Sequence, residues 1–155
     1  MEVSCLGPTG AEMTTHFINV DLDVRSRSPL EPLASAFGQA VCVLHVGREG
    51  KLHGAHFEVA DSHDKDADAI LREFVALIRK LPPRARKLWK DARSRDFNIG
   101  IQSAAAPLFH ELHLGAKTLQ AVARVGGAIV ITTYAPVVEA ARSTSRRSEA
   151  SRRRR

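Results

Sequence analysis

Nine residues near the start of the chain, His16–Val24 (HFINVDLDV), alternate without a break. His16, Ile18, Val20, Leu22 and Val24 fall on one side, and Phe17, Asn19, Asp21 and Asp23 on the other. A period of two does not fit a helix, whose neighbours recur every 3.6 residues; it describes a strand with one buried face. A strand of this kind commits the chain to a sheet, and the sheet to a layer that covers its apolar side.

The rest of the chain supplies both. Ser28 followed by Pro29 predicts an N-cap and a first helical residue, with Leu30, Leu33, Ala34 and Phe37 on one face and Gly38 as the stop. Ala40–Val46 and Lys51–Ala60 are apolar or alternating runs around Gly47-Arg48-Glu49-Gly50, which predicts an antiparallel hairpin. Gly54 marks an expected bulge, because alternation slips near it. Ala67, Ile70, Leu71, Phe74, Leu77, Ile78 and Leu81 form the stripe of an amphipathic helix, stopped by Pro82-Pro83. A second helical piece over Arg84–Arg93 is docked by Leu88 and Trp89. Phe97–Gln102 alternates again as a strand. Gly115–Val125 reads as a helix ended by Gly126-Gly127, and Ala128–Tyr134 as the last strand. The order β-α-β-β-α-(α)-β-α-β predicts an α+β two-layer sandwich, a mostly antiparallel five-stranded sheet with helices on one face.

Charge divides the chain more sharply than periodicity does. Residues 141–155 hold seven arginines and Glu149, while residues 1–140 hold sixteen basic and sixteen acidic residues. The net charge of +6 therefore belongs to the tail, and the remainder is neutral. No residue of that tail is apolar and larger than alanine, so burial cannot offset the entropy of ordering it. The expected organisation is a flexible extension over 1–13, one domain over 14–140 and a disordered arginine-rich tail over 141–155.

No apolar run approaches the ~20 residues of a membrane span. The start lacks the basic and apolar regions of a secretory signal, so a cytoplasmic location is expected. Two cysteines, Cys5 and Cys42, make no disulfide framework and are expected as reduced thiols.

Catalytic chemistry finds little support. His110-Glu111-Leu112-His113 has its histidines three apart, not the four that place two ligands on one helix face. His53 and His56 lie three apart on a strand and so point to opposite faces. A metal-dependent enzyme using His53, His56, His110 and His113 would need tertiary contact between the two pairs. The acidic loop Asp61–Asp68 lacks the glycine and terminal glutamate of a calcium loop, and helix capping accounts for its carboxylates. Asp21 and Asp23 on the outward face read as solvated surface, and Cys42 as an inert thiol within a strand. No catalytic residue and no cofactor is expected.

Two basic segments remain. Arg84, Arg86, Lys87, Trp89 and Lys90 form the only cationic cluster of the domain and include its sole tryptophan. Arginine and tryptophan are the residue types that dominate protein-binding hot spots, so this cluster is the candidate protein-binding surface. In the tail, Arg146, Arg147, Arg152, Arg153, Arg154 and Arg155 could contact phosphates and give weak, salt-sensitive nucleic-acid affinity. No aromatic residue follows Tyr134, so the stacking of a dedicated single-strand binder is missing.

The run of elements is itself distinctive. A short proline-initiated helix, a hairpin, a helix ending Leu81-Pro82-Pro83, a strand Phe97-Asn-Ile-Gly-Ile-Gln102 and a closing unit from Phe109-His-Glu-Leu-His-Leu114 to Tyr134 follow one another. Over roughly residues 15–136 this resembles small bacterial α/β domains of unassigned function, some of them similar to immunity proteins of bacterial toxin systems. The resemblance implies a bacterial cytosolic domain that acts by binding another protein. Its motifs are structural and transfer no functional residue. The expected function is thus a non-enzymatic protein-binding domain, immunity-like in kind. The alternatives are nucleic-acid association through the tail and the histidine-based metal enzyme.

Overall fold

A computed structural model describes residues 14–136. The expected extension over 1–13 and tail over 141–155 lie outside the described residues. Five strands and four helices follow in the order β1 (His16–Ser26), α1 (Glu31–Phe37), β2 (Val41–Glu49), β3 (Leu52–Val59), α2 (Ala67–Arg79), α3 (Pro83–Asp91), β4 (Ser94–Gln102), α4 (Ala116–Arg124) and β5 (Ala128–Tyr134). The fold is α+β, with a mixed, mostly antiparallel open sheet of order β2-β3-β1-β4-β5.

β1 is central, antiparallel to β3 on one side and to β4 on the other. β4 and β5 run parallel, joined by the α4 crossover. Among the described residues the edge strands are therefore β2 and β5. A first strand is a natural guess for an edge, but β1 is paired on both sides. Its alternation holds from Asn19 to Val24 and breaks at a register shift between Phe17 and Asn19, so that Phe17 packs against the core and Ile18, expected on the buried side, is exposed.

Local chemistry explains most element ends, and corrects several expectations. Ser28 is not an N-cap: α1 begins three residues later at Glu31, with Pro32 in its first turn, and Leu30 is fully buried in the core. The hairpin turn is only Gly50-Lys51, because Glu49 pairs directly with Leu52; Gly50 takes φ +61°, which glycine adopts without cost. The register shift falls between Val43 and His45 on β2, not at Gly54. A Cβ on Gly54 would collide with the Glu49 carboxylate, so this glycine makes room for a side chain crossing the sheet. Asp66 caps α2 by accepting from the Ala69 amide at 2.8 Å.

The core lies between one sheet face and the helices. Val20, Leu22 and Val24 of β1, Phe57 of β3, and Phe97 and Ile99 of β4 meet Leu33 and Phe37 of α1, Ile70, Leu71 and Phe74 of α2, and Val122 of α4. Phe37 stands edge-on to Phe57 with centroids 5.2 Å apart, and Phe74 to Phe97 at 5.8 Å. Cys42, expected as a reduced thiol, is disulfide-bonded. Its register opposite Glu58 puts it on the helix-free face of an edge strand, where it is nonetheless buried. The chain's other cysteine, Cys5, lies outside the described residues. Among the described residues, no helix is long and apolar enough to cross a membrane.

Candidate anion-binding cleft

α2, α3 and α4 each carry a cation in the last turn: Arg79, Lys90 and Arg124. Helix C-termini leave carbonyls unsatisfied and bear partial negative charge, so cations are favoured there. The topology gathers these three ends on one side of the helix layer. Between them lies an open cavity of about 460 Å³, lined by Arg79, Arg86, Lys90, Arg95 and Arg124 over a floor that includes Ile78, Trp89 and Val125. Among the described residues, no carboxylate lines it.

The five cations are not equivalent. Arg95, at the start of β4, is committed to the backbone. One terminal nitrogen donates to the carbonyls of Trp89 (2.8 Å), Lys90 (3.1 Å) and Ala92 (2.9 Å), and Nε donates to Gly126 (2.8 Å). It ties the end of α3 to the turn between α4 and β5. Arg86 donates to the carbonyl of Arg79 at 3.1 Å and so caps α2. Arg79, Lys90 and Arg124 make no side-chain hydrogen bond or ion pair among the described residues. They form a rim of positive charge over an apolar floor, an arrangement that suits a carboxylate or phosphate held by arginine.

The structure divides the cluster expected from sequence. Arg86, Trp89 and Lys90 do share this cleft. Arg84 faces away, into a separate depression with Glu31, Pro32 and Ser35. Lys87 is occupied by Asp91 at 2.6 Å. Trp89 is a correction: it is only 4% exposed, and its indole N–H donates to the Val125 carbonyl at 2.8 Å. A side chain packed this way supports the cleft from beneath and cannot project into a partner. Arg79 and Arg124 were not anticipated, and Arg95, at the end of the same basic segment, was not among the residues expected to bind. The signal for two of them was present, since each closes a predicted helix, but nothing local says that separate helix ends converge. The tail arginines Arg146, Arg147 and Arg152 to Arg155 lie outside the described residues.

A second polar cluster covers the helix-free face of the sheet. His56 of β3 is held on both ring nitrogens, Nδ1 by Asp23 Oδ1 and Nε2 by Glu49 Oε1, each at 2.6 Å. Arg25 and His45 flank the same glutamate at 3.7 and 3.5 Å. Desolvation lowers the His56 pKa, but the hydrogen bonds and charges of Glu49 and Asp23 outweigh it, and the net shift is upward. The hydrogen bond from His56 in turn holds Glu49 below the usual carboxylate range, against a smaller opposing effect of burial. Asp21 sits opposite Glu58 on one neighbour strand and Asn98 on the other. Partial burial, then the charges of Glu58 and Asp23, push its carboxyl up to about 7. Asp21 was expected as solvated surface. It does face away from the helices, but flanking strands and side chains cover much of it.

The four histidines considered for a metal are not brought together. His53 and His56 take opposite faces of β3, as their spacing requires, and His110 and His113 lie in the segment before α4. Among the described residues, no group of three or more histidine, cysteine or acidic side chains could hold a metal ion. The acidic loop is spent on structure. Asp66 caps α2, and Asp68 accepts from the Gly115 amide at 2.8 Å and from Arg72 at 3.0 Å. No family model, curated protein or solved structure matches the chain.

Proposed function

We propose that this protein is a non-enzymatic binding domain whose basic cleft receives an acidic segment of a partner protein. The observation that carries this reading is the cleft itself: among the described residues, five cations and no carboxylate line one cavity, and three of the cations have no partner. A cavity of this size admits two or three side chains rather than a whole interface. The surrounding helix ends would therefore grip a short anionic anchor, with the rest of the contact spread over α2, α3 and α4. An immunity-like role accords with this mode, since such proteins act by occupying a partner. A second reading, nucleic-acid association through the tail, is supported by the charge partition alone.

Trp89 is the sole tryptophan and forms part of the cleft floor, so its emission reports this site and not the tail. Titrating the full-length chain with an oligo-glutamate peptide should shift Trp89 emission saturably. The double variant Arg79→Ala/Arg124→Ala should fold normally and bind roughly tenfold more weakly, about 1.4 kcal/mol. Unchanged emission, or equal affinity in the double variant, would refute the reading. Binding of a single-stranded oligonucleotide that is lost on removing residues 141–155, without a change in Trp89, would move the activity to the tail.

A further inference from the structure

The two edges of the sheet are guarded very differently. β2 carries His45, Arg48 and Glu49 along its length and a register shift after Val43. Charges and bulges of this kind stop an edge from recruiting another strand. β5, AIVITTY, has no charge, proline, glycine or register shift across seven residues. Among the described residues it pairs with β4 on one side only, and Ile131 is 60% exposed and Val130 39%. On α4, the helix leading into it, Leu119 is exposed as well. A regular, uncharged, apolar edge is a template for strand addition unless something covers it.

We infer that β5 pairs antiparallel with β5 of a second copy of this chain, about a two-fold axis through Ile131, to make a continuous ten-stranded sheet. The strand is complementary to itself in that register. Ile131 meets Ile131, Ile129 meets Thr133, Val130 meets Thr132 and Ala128 meets Tyr134, so no like charges face each other. Thr132 donates to Asn98 across the helix-free face, which puts Ile129 and Ile131 on the helix side, where two apolar side chains from each copy would be enclosed. The charge that follows β5 fixes the direction. Residues 141–155 carry +6, and a same-direction pairing would set two such segments side by side. Antiparallel pairing sets the two Tyr134 ends, from which the chains leave the sheet, about 20 Å apart, well beyond the ~8 Å screening length in physiological salt. A two-fold interface built from one patch used twice is also the commonest form of self-association.

Light scattering on the full-length chain, at concentrations up to ~200 μM so that a Kd of tens of micromolar is still read, should give twice the chain mass of 16.9 kDa. Ile131→Lys and Ile131→Glu each place like charges across the axis, and each alone should stay at 16.9 kDa. Mixed in equal amounts, the two should recover the doubled mass, because the axis now joins opposite charges. A wild-type monomer throughout that range would overturn the inference, as would a doubled mass for either variant alone or a mixture that stays monomeric. Should a charged variant lose its far-ultraviolet circular dichroism, amide exchange of the wild type decides instead. β5 amides whose protection rises with concentration uphold the pairing; protection independent of concentration means that β5 is covered within its own copy, and the inference fails.

Discussion

The cleft among the helix ends and the helix-free face of the sheet both concentrate charge, yet they settle it in opposite ways. On the sheet, β pairing sets carboxylates against histidine and against one another: Asp23 and Glu49 clasp His56, and Asp21 faces Glu58. Those charges are answered locally, by hydrogen bonds or by a proton held more tightly than usual. In the cleft, the cations answer helix carbonyls, which carry only partial charge, and Arg79, Lys90 and Arg124 make no ion pair with a carboxylate among the described residues. On the sheet face the ion pairs are answered within the face, although Asn19 Oδ1 and Asp21 Oδ1 are buried there without a hydrogen-bond partner among the described residues; the cleft cations have no anionic partner at all among those residues. A surplus of one sign over an apolar floor is what an external ligand can exploit, and for that reason the binding reading rests on the helices.

The comparison breaks first where the cleft depends on the core. Trp89→Ala should cost about 3–5 kcal/mol, because it empties a buried site and orphans the Val125 carbonyl. Against a typical total stability of about 5–15 kcal/mol, the variant should unfold at much lower urea and is useless as a binding probe. An unchanged urea midpoint would mean that Trp89 is not the floor of the cleft. Arg95→Met keeps the aliphatic stem but removes the donors to four carbonyls, and should cost about 2–3 kcal/mol by the same measurement. A loss below ~0.5 kcal/mol would place Arg95 with the free rim cations instead.

The contrast between the two regions also marks what could be read from the sequence. Element types were legible because periodicity is local: the alternation from Asn19 to Val24 and the stripe from Ala67 to Ile78 each state which face is buried, whereas the register shift after Phe17 reverses the faces expected for Phe17 and Ile18. Strand order was not, since whether β1 lies in the middle or at an edge depends on pairings made by residues thirty to eighty positions away. The cleft suffers from the same blindness. Arg86, Lys90 and Arg95 lie within six residues of Trp89 in the chain, whereas Arg124 joins them only through the α4 crossover between β4 and β5. Trp89 misled for a related reason: tryptophan among cations suits a hot spot and a helix docked by its one large apolar residue equally well, and only packing separates the two. Pairing of His56 with Glu49 likewise became visible only once the two-residue hairpin turn fixed the register.

Proton linkage sharpens the comparison on the sheet side. Asp21 binds its proton more tightly in the folded chain than in the unfolded one, with a pKa moved from 3.8 to about 7. Its ionisation therefore withdraws stability as pH rises from about 4 to 7, and leaves stability untouched below that window. Asp21→Asn removes this liability and should stabilise the protein by about 1–2 kcal/mol at pH 8, a figure discounted for the solvent that still reaches the carboxyl, with little effect at pH 4. His56, whose pKa is raised, contributes stability that is complete below its ordinary 6.5 and is lost as pH rises through the higher folded value. Glu49, whose pKa is lowered, contributes above its ordinary 4.5 and loses that contribution on acidification. His56→Gln should thus cost about 1 kcal/mol near pH 5.5 and progressively less on the alkaline side. Urea midpoints taken from pH 4 to 9 read both variants, and a flat Asp21→Asn difference would show that its carboxyl titrates normally.

The smallest stability effects discriminate best between the two kinds of surface cation. Lys87 and Arg124 both lie on helices, both are exposed, and neither supports the core. Lys87 is paired with Asp91 four residues on, a solvent-exposed bridge worth about 0.2–0.5 kcal/mol. Arg124 has no such partner and stands at the cleft rim, where it lies close to the positive charge of Arg95, Arg79 and Lys90. Lys87→Ala should lower the urea midpoint slightly and leave oligo-glutamate binding as it was. Arg124→Ala should leave stability within about 0.5 kcal/mol, on the favourable side if relief of repulsion outweighs the lost helix-end interaction, and should weaken binding several-fold. Opposite responses of two neighbouring surface cations are what a charge held in reserve for a ligand requires. Equal responses would mean that the cleft is no more than three helices ending well.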